Sequence, residues 1–518
     1  MGLDRVDLII IAVYLAGITA FGVSFRKRQR SLRDYFLADR NVPWWAISLS
    51  IVAAETSTLT IISIPGLAYR SNLTFLQLVM GYVVGRVIIS FLLIPHYFRG
   101  ELYTAYQLME RRFGGKLRSL TASLFLITRA AAEGVRVFAV AIVVRIMLGA
   151  ALRGFGDFQR DLIAIGIVTA LTLIYTFEGG MTAVIWTDVV QMFIYVGGTL
   201  VGFATLLHLV PGGWSGVSTV AGAAGKFRIL DFSPEFFQVY TFWAGLIGGA
   251  FLTTASHGTD QLIVQRLLAA RSEGQSKLAL IASGLAVFFQ FGLFLLVGVL
   301  LFVLYHTAAS APAWASYDEI FPTFIVTRMP HGVSGLLIAA ILAAAMSNLS
   351  AALNSLSSSS MVDFYLRRRP ETGERERLRL SRISTLLWAV VLFGLALLSR
   401  NIKVVVEVGL AIASVAYGAL LGVFVLGVLT KKANERGAMV GFFCGFVFNL
   451  YLWQEQQLWG AISRRTGFSL ALPHGGVPFT WYVALGCGLT FAIGYAASLL
   501  YARHPVNEMS TSSRGRDG

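Results

Sequence analysis

The sequence predicts an all-α polytopic membrane protein with about 13 transmembrane helices. Of the 518 residues, 56% are hydrophobic and only 13% are charged, and the mean hydropathy is +0.70. Apolar runs of about 20 residues or more, long enough to cross a bilayer, recur from one end of the chain to the other. Two of these runs are interrupted by polar residues at corresponding places, which predicts two halves related as an inverted repeat.

The distribution of charged residues and cysteines excludes other classes of protein. The formal net charge of +15 would suit a nucleic-acid partner, but the basic residues are confined to short loops, which is a pattern of membrane topology. Cys444 and Cys487 lie in apolar runs and indicate neither a disulfide framework nor a metal cage. The sequence contains no phosphate-binding loop, G-x-S-x-G or kinase signature, so we expect no enzyme, no transition metal and no nucleic-acid partner.

Thirteen predicted spans, numbered 0 to 12, account for the apolar runs. They cover residues 6–25, 44–70, 74–96, 119–150, 160–177, 183–209, 237–260, 277–305, 333–362, 381–399, 404–428, 436–455 and 479–502. Span 0 is a spanning helix and not a signal peptide, because no basic segment precedes it and Arg26, Lys27 and Arg28 follow it. The loops that hold basic clusters are then cytoplasmic, which places the N-terminus outside and the C-terminus in the cytoplasm of a multi-pass cell-membrane protein.

These spans divide the chain into six parts. The parts are a leading span with its cytoplasmic linker (1–43), the first repeat with spans 1–5 (44–209), an external loop (210–236), the second repeat with spans 6–10 (237–428), two trailing spans (429–503) and a disordered cytoplasmic tail (504–518). The lipid bilayer is the expected surrounding of the protein, and we expect a monomer.

Span 1 carries a polar stretch inside an apolar run. Residues 51–66 contain the carboxylate of Glu55 and five hydroxyl groups, and they end at Pro65 and Gly66. A charged group in hydrocarbon is costly, so it persists only where it faces a cavity or a partner. Helical backbone can open in such a stretch if the freed carbonyls line a polar cavity or bind an ion. The alternative is a kinked helix whose Ser and Thr side chains bond to its own carbonyls.

Span 6 shows a similar combination of small and polar residues. Gly245, Gly248 and Gly249 lead into a polar stretch from Thr253 to Asp260. Spans 1 and 6 lie five spans apart, so they occupy matching positions in the two halves and cross the membrane in opposite directions. Paired broken helices of this kind indicate a secondary transporter with its binding site near the midplane of the bilayer.

Span 8 contains a stripe of polar side chains. Ser347, Ser350, Asn354 and Ser358 fall on one helical face. Such a stripe either lets membrane helices pack closely or supplies oxygen ligands to a monovalent cation such as Na⁺. Asp188, just inside span 5, could balance the charge of such a cation.

Span 3 contains charged residues at helical spacing. Glu133 can pair with Arg129 or with Arg136, which leaves at least one guanidinium for an anionic solute or for another helix. Arg86 in span 2 and Glu407 in span 10 are further charges whose partners the sequence does not identify.

Several motifs resemble those of the sodium/solute symporter family, which contains sodium-glucose, proline and sialic acid transporters. The resemblance extends over about residues 7–455 and rests on Phe36–Trp45, Ser57–Gly66, Gly179–Gln191, Asp260–Arg266 and Ala343–Ser355. It implies the leucine-transporter fold, an inverted five-helix repeat, here with one span before the repeat and two after it.

The resemblance also implies a sodium site between spans 1 and 8. It would take the backbone carbonyls of Ala53, Thr56 and Ala344 and the side chain of Ser347. Family members carry Ser or Thr at the next position, where this sequence has Asn348 with a longer amide ligand.

A second sodium site, present in some members of the family, is less favoured. By resemblance it would use Asp188 with Ser347, Ser350 and the following residue. That residue is Ala351, which has no side-chain oxygen to bind a cation.

A solute site is implied by the same resemblance. It comprises Glu55, Ser57, Thr60, Phe75, Arg136, Asp260 and Gln261. Ser57, Thr60 and Arg136 match positions that hold the carboxylate in sialic acid transporters, and Glu55 stands where the proline transporter has an essential aspartate. Asp260 and Gln261 replace the Asn-Gln pair near the sugar in glucose and galactose members.

The resulting hypothesis is a sodium-coupled symporter that imports a small organic solute by alternating access, with Na⁺ as coupling ion and no other cofactor. The expected solute bears a carboxylate, as do sugar acids, amino acids and monocarboxylates, and a neutral sugar is the alternative. Two rival hypotheses are a proton-coupled carrier in which Glu55 or Asp260 titrates and a sensor that has lost transport. No signalling domain follows residue 502, which argues against the sensor.

Overall fold

In a computed structural model the chain is a bundle of helices. The structure describes residues 3–24, 38–99, 105–149, 151–176, 181–307, 314–369, 371–401, 405–466 and 476–503. These residues contain no β-strand, and an isolated bridge joins Val42 to Ala270. The prediction of an all-α protein is confirmed.

The first half of the chain supplies the helices of spans 0 to 5. In chain order they are α1 (Arg5–Ser24), α2 (Trp44–Glu55), α3 (Thr58–Arg70), α4 (Leu76–Leu92), α5 (Ile94–Phe98), α6 (Ala105–Arg112), α7 (Gly115–Met147), α8 (Asp157–Thr176), α9 (Met181–Leu209) and α10 (Gly213–Ala223). Span 1 consists of α2 and α3, span 2 is centred on α4, and spans 3, 4 and 5 are α7, α8 and α9.

The second half supplies the helices of spans 6 to 12. They are α11 (Gly249–Gly258), α12 (Gln261–Leu268), α13 (Glu273–His306), α14 (Ile320–Arg328), α15 (Val333–Ser359), α16 (Leu366–Arg368), α17 (Glu374–Leu398), α18 (Val405–Leu429), α19 (Glu435–Thr466) and α20 (Phe479–Arg503). Spans 7 to 12 correspond to α13, α15, α17, α18, α19 and α20. Span 6 consists of α11 and a π-helical segment, Ala244–Gly248, that precedes it.

The number of membrane spans stays a prediction. Within the described ranges, eight helices are long and apolar enough to cross a bilayer, or nine if the bent pair α2–α3 counts as one span. The helices of predicted spans 3, 4, 6 and 9 do not pass this test. In span 3, Arg129, Glu133 and Arg136 interrupt the apolar run, and in span 6 the helix α11 has only 10 residues.

Span 1 is broken where its polar stretch predicts an opening. The axes of α2 and α3 differ by 62°. Thr56 leaves the helical region with ψ 70°, and Ser57 is extended with ψ 169°. Pro65 and Gly66 do not form the break, because both lie inside α3. Gly66 instead permits close packing, since a Cβ there would come within 2.4 Å of the Tyr317 carbonyl oxygen.

The glycines of span 6 also serve close packing. A Cβ on Gly245 would lie 2.6 Å from the carbonyl carbon of Gln77, and one on Gly249 would lie 2.3 Å from the Leu78 carbonyl oxygen. These glycines therefore let span 6 pack directly on the backbone of α4. The interruption comes later, at Thr259 and Asp260 between α11 and α12.

Lys226, in the segment after α10, caps the carboxyl end of α3. Its Nζ donates hydrogen bonds to the carbonyls of Tyr69 at 2.6 Å and Ser71 at 2.8 Å. It also lies 4.0 Å from the centre of the Phe302 ring. A cation is favoured at the carboxyl end of a helix and over an aromatic face. Burial lowers the pKa of Lys226 to about 8, so the side chain is mainly protonated at pH 7.

Asp7 of the leading helix caps the start of α15. Its carboxylate accepts hydrogen bonds from the amides of Gly332 at 2.7 Å and Gly335 at 3.0 Å, and it lies 2.9 Å from Nδ1 of His331. Asp4, Asp7 and His331 are close enough to share a metal ion. Because the Asp7 oxygens already accept these hydrogen bonds, we interpret the group as a cap that joins span 0 to span 8.

The contact between Asp7 and His331 is expected to make stability depend on pH. The hydrogen bond to Asp7 raises the pKa of His331 above its ordinary value of 6.5. A raised pKa in the folded state gives stabilisation that is complete below about pH 6.5 and is lost as the pH rises through the folded value. The unfolding temperature in detergent should therefore fall slightly from pH 6 to pH 8, and H331Q should remove this component. The same pH dependence in H331Q and wild type would contradict the expectation.

Candidate functional site

The break in span 1 takes backbone carbonyls out of the helical hydrogen-bond pattern, among them those of Ala53 and Thr56. In a continuous helix the amides of Ser57 and Thr60 would donate to the carbonyls of Ala53 and Thr56. Here the Ser57 amide donates to the Glu55 carbonyl at 3.0 Å, and the Thr60 amide donates to the Ser57 carbonyl at 2.9 Å. The Thr60 hydroxyl also donates to the Glu55 carbonyl, at 3.1 Å. The Ala53 and Thr56 carbonyls thus lie outside the regular helical pattern and can serve as cation ligands.

Two contacts hold the break against α15. On one side the Thr58 hydroxyl donates to the Ile341 carbonyl at 3.2 Å. On the other side Ser347 interacts with Asp188, whose carboxylate also accepts a hydrogen bond of 2.7 Å from α2. Ile341, Ala344 and Ser347 recur every three residues and share a helical face, so Ala344 lies between the two contacts. The structure therefore brings the predicted sodium ligands of spans 1 and 8 to the same region.

Gln290 of α13 adds a polar group that the sequence analysis did not single out. The Thr56 hydroxyl donates to its Oε1 at 3.0 Å, and both side chains are buried. The sequence does contain a signal for this group, because Gln290 is an amide side chain inside the apolar run of span 7. This bond fixes the Thr56 side chain and leaves its carbonyl as the group that can bind an ion.

A small cavity lies beside the break. Its lining comprises Ser57, Thr58, Leu59, Glu133, Arg136, Val137, Val140, Val168, Ala345, Asn348 and Leu349. Of the predicted solute residues, Ser57 and Arg136 line this cavity. Asn348, which was predicted as a sodium ligand, lines it as well.

Arg136 is the cationic group of this cavity. Its Nη1 lies 3.4 Å from Glu133, and a third of its side chain is exposed. Glu133 also lies 3.5 Å from Arg129, which in turn lies 3.7 Å from Asp260. Since only one donor of Arg136 is directed to Glu133, the remaining N–H groups of the guanidinium can receive a carboxylate.

Asp260 and Gln261 do not line this cavity. Asp260 accepts a hydrogen bond from the Leu262 amide at 2.9 Å, which caps α12, and another from the Tyr417 hydroxyl at 3.1 Å. The Gln261 amide oxygen accepts a hydrogen bond from the amide of Ala105, at the start of α6, at 2.8 Å. Both residues thus join the end of the broken span 6 to neighbouring helices.

Glu55 is part of a buried charged triad. Arg86 of α4 donates to its carboxylate, and the two groups form a salt bridge. His257 of α11 lies 3.5 Å from Glu55 and 3.2 Å from Arg86. The triad joins the break of span 1 to spans 2 and 6, and it supplies the partner of Arg86 that the sequence left unassigned.

Phe75 lies in an aromatic cluster and not in the cavity lining. Its ring stacks on Phe291 at a centroid distance of 5.7 Å and meets the edge of Tyr240 at 5.4 Å. The Tyr240 hydroxyl donates to Glu407 at 2.9 Å, and Arg70 lies 3.5 Å from the same carboxylate. Glu407, whose partner was unknown from sequence, thus belongs to a polar cluster next to Phe75.

Ser350, predicted for a second sodium site, is buried on α15 one turn after Ser347. Asp188, the other member of that site, is bonded to Ser50 and Arg266. The side chains of Asn354 and Ser358 from the predicted stripe lie outside the described residues.

The sequence model of the sodium:solute symporter family matches residues 35–445. The chain belongs to this family. This symporter is 32% identical over 447 residues to the sodium/sialic acid symporter SiaT of Proteus mirabilis, a match that covers 84% of this chain and 87% of SiaT. It is 30% identical over 443 residues to the sodium/sialic acid symporter NanT of Aliivibrio fischeri, with 84% and 85% covered.

A solved structure gives the same result for the symporter fold. The substrate-bound, outward-open state of a Na⁺-coupled sialic acid symporter matches with a TM-score of 0.78 at 27% identity, over 96% of this chain and 98% of that one. The predicted family and fold class are confirmed. The protein is a multi-pass membrane transporter of the sodium/solute class and not an enzyme.

Proposed function

We propose that this symporter imports a small carboxylate-bearing solute together with Na⁺ by alternating access. The observation that carries the proposal is the break of span 1, which takes the carbonyls of Ala53 and Thr56 out of the helical hydrogen-bond pattern beside a cavity that Arg136 lines. The sialic acid symporters among its relatives favour a sugar acid as the solute. The N-terminus lies outside, the C-terminus lies in the cytoplasm, and the transporter works as a monomer.

The sodium ion in this proposal binds to the carbonyls of Ala53, Thr56 and Ala344 and to the hydroxyl of Ser347. The residues fit a hard monovalent cation because all four ligands are neutral oxygens. Bound there, the ion joins span 1 to span 8 and favours the state that receives the solute. Coupling of this kind between two ligand sites is typically about 1–3 kcal/mol. A membrane potential adds about 2.3 kcal/mol per inward charge per 100 mV.

The solute in this proposal binds in the cavity next to the ion. Arg136 receives the carboxylate, while Ser57 and Asn348 donate to further oxygens of the solute. Glu55 keeps the break attached to Arg86 and does not contact the solute. Glu55 pairs with Arg86, and Asp260 lies 3.7 Å from Arg129, so each carboxylate already has a cationic partner in the protein.

Uptake of labelled sialic acid into proteoliposomes tests this proposal. Uptake should require an inward Na⁺ gradient and should be lost when K⁺ replaces Na⁺. S347A should raise the Na⁺ concentration for half-maximal uptake about 10- to 100-fold, because a charge-assisted contact is removed.

The matched control is S414A. Ser414 is buried, and its hydroxyl bonds to the Leu410 carbonyl of its own helix at 2.7 Å, so its removal should leave the sodium dependence unchanged. Sialic acid uptake that persists with K⁺ in place of Na⁺ would refute sodium coupling. Uptake driven by a pH gradient alone would favour the proton-coupled carrier.

A further inference from the structure

The carboxylate of Asp188 already has a cation. Nη2 of Arg266 lies 3.1 Å from its Oδ2, and both side chains are almost fully buried, with 1% of Arg266 and 4% of Asp188 exposed. Nε of Arg266 donates to Ser50 at 3.0 Å, and Ser50 donates to the same oxygen of Asp188 at 2.7 Å. Nη1 donates to the Leu262 carbonyl at 2.9 Å. Every guanidinium nitrogen of Arg266 thus has a hydrogen-bond partner.

The position of this ion pair matters for sodium binding. Asp188 also interacts with Ser347, the hydroxyl that our proposed sodium site uses. The carboxylate therefore lies directly beside that site, where a negative charge could attract a further cation. Arg266 reaches it from α12, on the far side of the break in span 6.

A second Na⁺ at Asp188 would meet two obstacles. The guanidinium already neutralises the carboxylate, and a sodium ion beside it would lie next to a like charge in a buried region, where such repulsion is strong. Sharing the carboxylate is therefore unfavourable, and displacing Arg266 would leave a buried guanidinium without its partner.

We propose that Arg266 is the resident cation of the Asp188 site and replaces a second sodium ion there. The symporter then binds one Na⁺ per cycle, at the site between spans 1 and 8. This inference rests on the proposed sodium coupling and adds its stoichiometry. It also predicts that removal of Arg266 exposes the carboxylate to a second Na⁺.

Equilibrium binding of ²²Na⁺ to the purified full-length protein in detergent tests the inference without a solute. We expect one Na⁺ per wild-type chain at saturation. R266Q should bind two, because a buried carboxylate without a counter-charge recruits a cation. R266K keeps a cation at the site and should bind one. The neutral pair D188N/R266Q should also bind one, since it has neither the carboxylate nor the guanidinium.

The outcomes separate this inference from the proposed function. Two Na⁺ per wild-type chain, or one in a folded R266Q, would overturn the role of Arg266 and leave sodium coupling intact. If R266Q does not fold, the number of Na⁺ bound per chain is compared between wild type and D188N/R266Q. Equal numbers support Arg266 as the resident cation, and a drop from two in wild type to one in the double variant overturns it. No bound Na⁺ in wild type, together with sodium-independent uptake, would instead refute the proposed function.

Discussion

Replacement of Arg86 by methionine is expected to lower the free energy of unfolding by about 3–5 kcal/mol. Arg86 is fully buried in α4 and forms a salt bridge with Glu55 at the break of span 1. Methionine fills much of the same volume but leaves the Glu55 carboxylate in a buried position with His257 as its remaining partner. The cost is that of an uncompensated buried charge, and it should appear as a lower midpoint of unfolding when SDS is titrated into mixed micelles.

The control for this prediction is the double variant E55L/R86M. It replaces the ion pair by two apolar side chains, and exchanges of this kind are often neutral or even stabilising. We therefore expect most of the stability lost in R86M to return in the double variant. If R86M were as stable as wild type, or if E55L/R86M were no more stable than R86M, the ion pair would not be the cause.

The sequence predicts the break of span 1 because its signal is local. A carboxylate and five hydroxyls within an apolar run are incompatible with lipid, so this stretch must face a polar cavity, a polar partner or an ion. The exact position at Thr56 and Ser57 does not follow from Pro65 and Gly66, which remain helical. Proline is tolerated in a membrane helix when neighbouring groups satisfy the freed carbonyl, and only the packing around α3 reveals this.

Pairing between distant residues is what the sequence cannot give. Arg266 appears in the sequence only as the end of the motif Asp260–Arg266, yet it is buried against Asp188, 78 positions earlier in the chain. Arg86 and Glu55 are separated by 31 positions, and Glu407 and Tyr240 by 167. The two residues of each pair lie on different elements that the fold brings together. Helical periodicity describes spacing along one helix and therefore cannot predict these pairs.

Only some of the site residues inferred from resemblance line the cavity. Ser57 and Arg136 line the cavity because the break of span 1 and the middle of α7 face each other there. Asp260 instead caps α12, which is a local role that its position before a helix permits and that the resemblance does not reveal. Asn348 faces the cavity beside Ala345 and Leu349. The family resemblance thus indicates helices that line the cavity, while the helix packing decides which of their side chains face it.

Replacement of Arg136 by glutamine is expected to raise the KM for sialic acid about 10- to 150-fold, which corresponds to the loss of a charge-assisted hydrogen bond worth about 1.5–3 kcal/mol. The maximal rate of uptake should change less, because the contact is made in the bound state before the conformational change. The KM of R136K should lie between those of wild type and R136Q, since an ammonium group keeps the charge but not the paired geometry of a guanidinium. The measurement is the initial rate of sodium-driven uptake into proteoliposomes as a function of sialic acid concentration.

R145Q provides the matched control on the same helix. Arg145 contacts Asp161 at 3.2 Å and pairs with Glu319, and it is not part of the cavity lining, so its loss should leave the KM unchanged. The methyl ester of sialic acid, which lacks the negative charge, tests the same contact from the other side. It should compete weakly with sialic acid in wild type, and R136Q should discriminate less between the acid and its ester. Equal competition by acid and ester in wild type would mean that Arg136 does not bind the carboxylate of the solute. A neutral sugar would then be the better candidate for the solute.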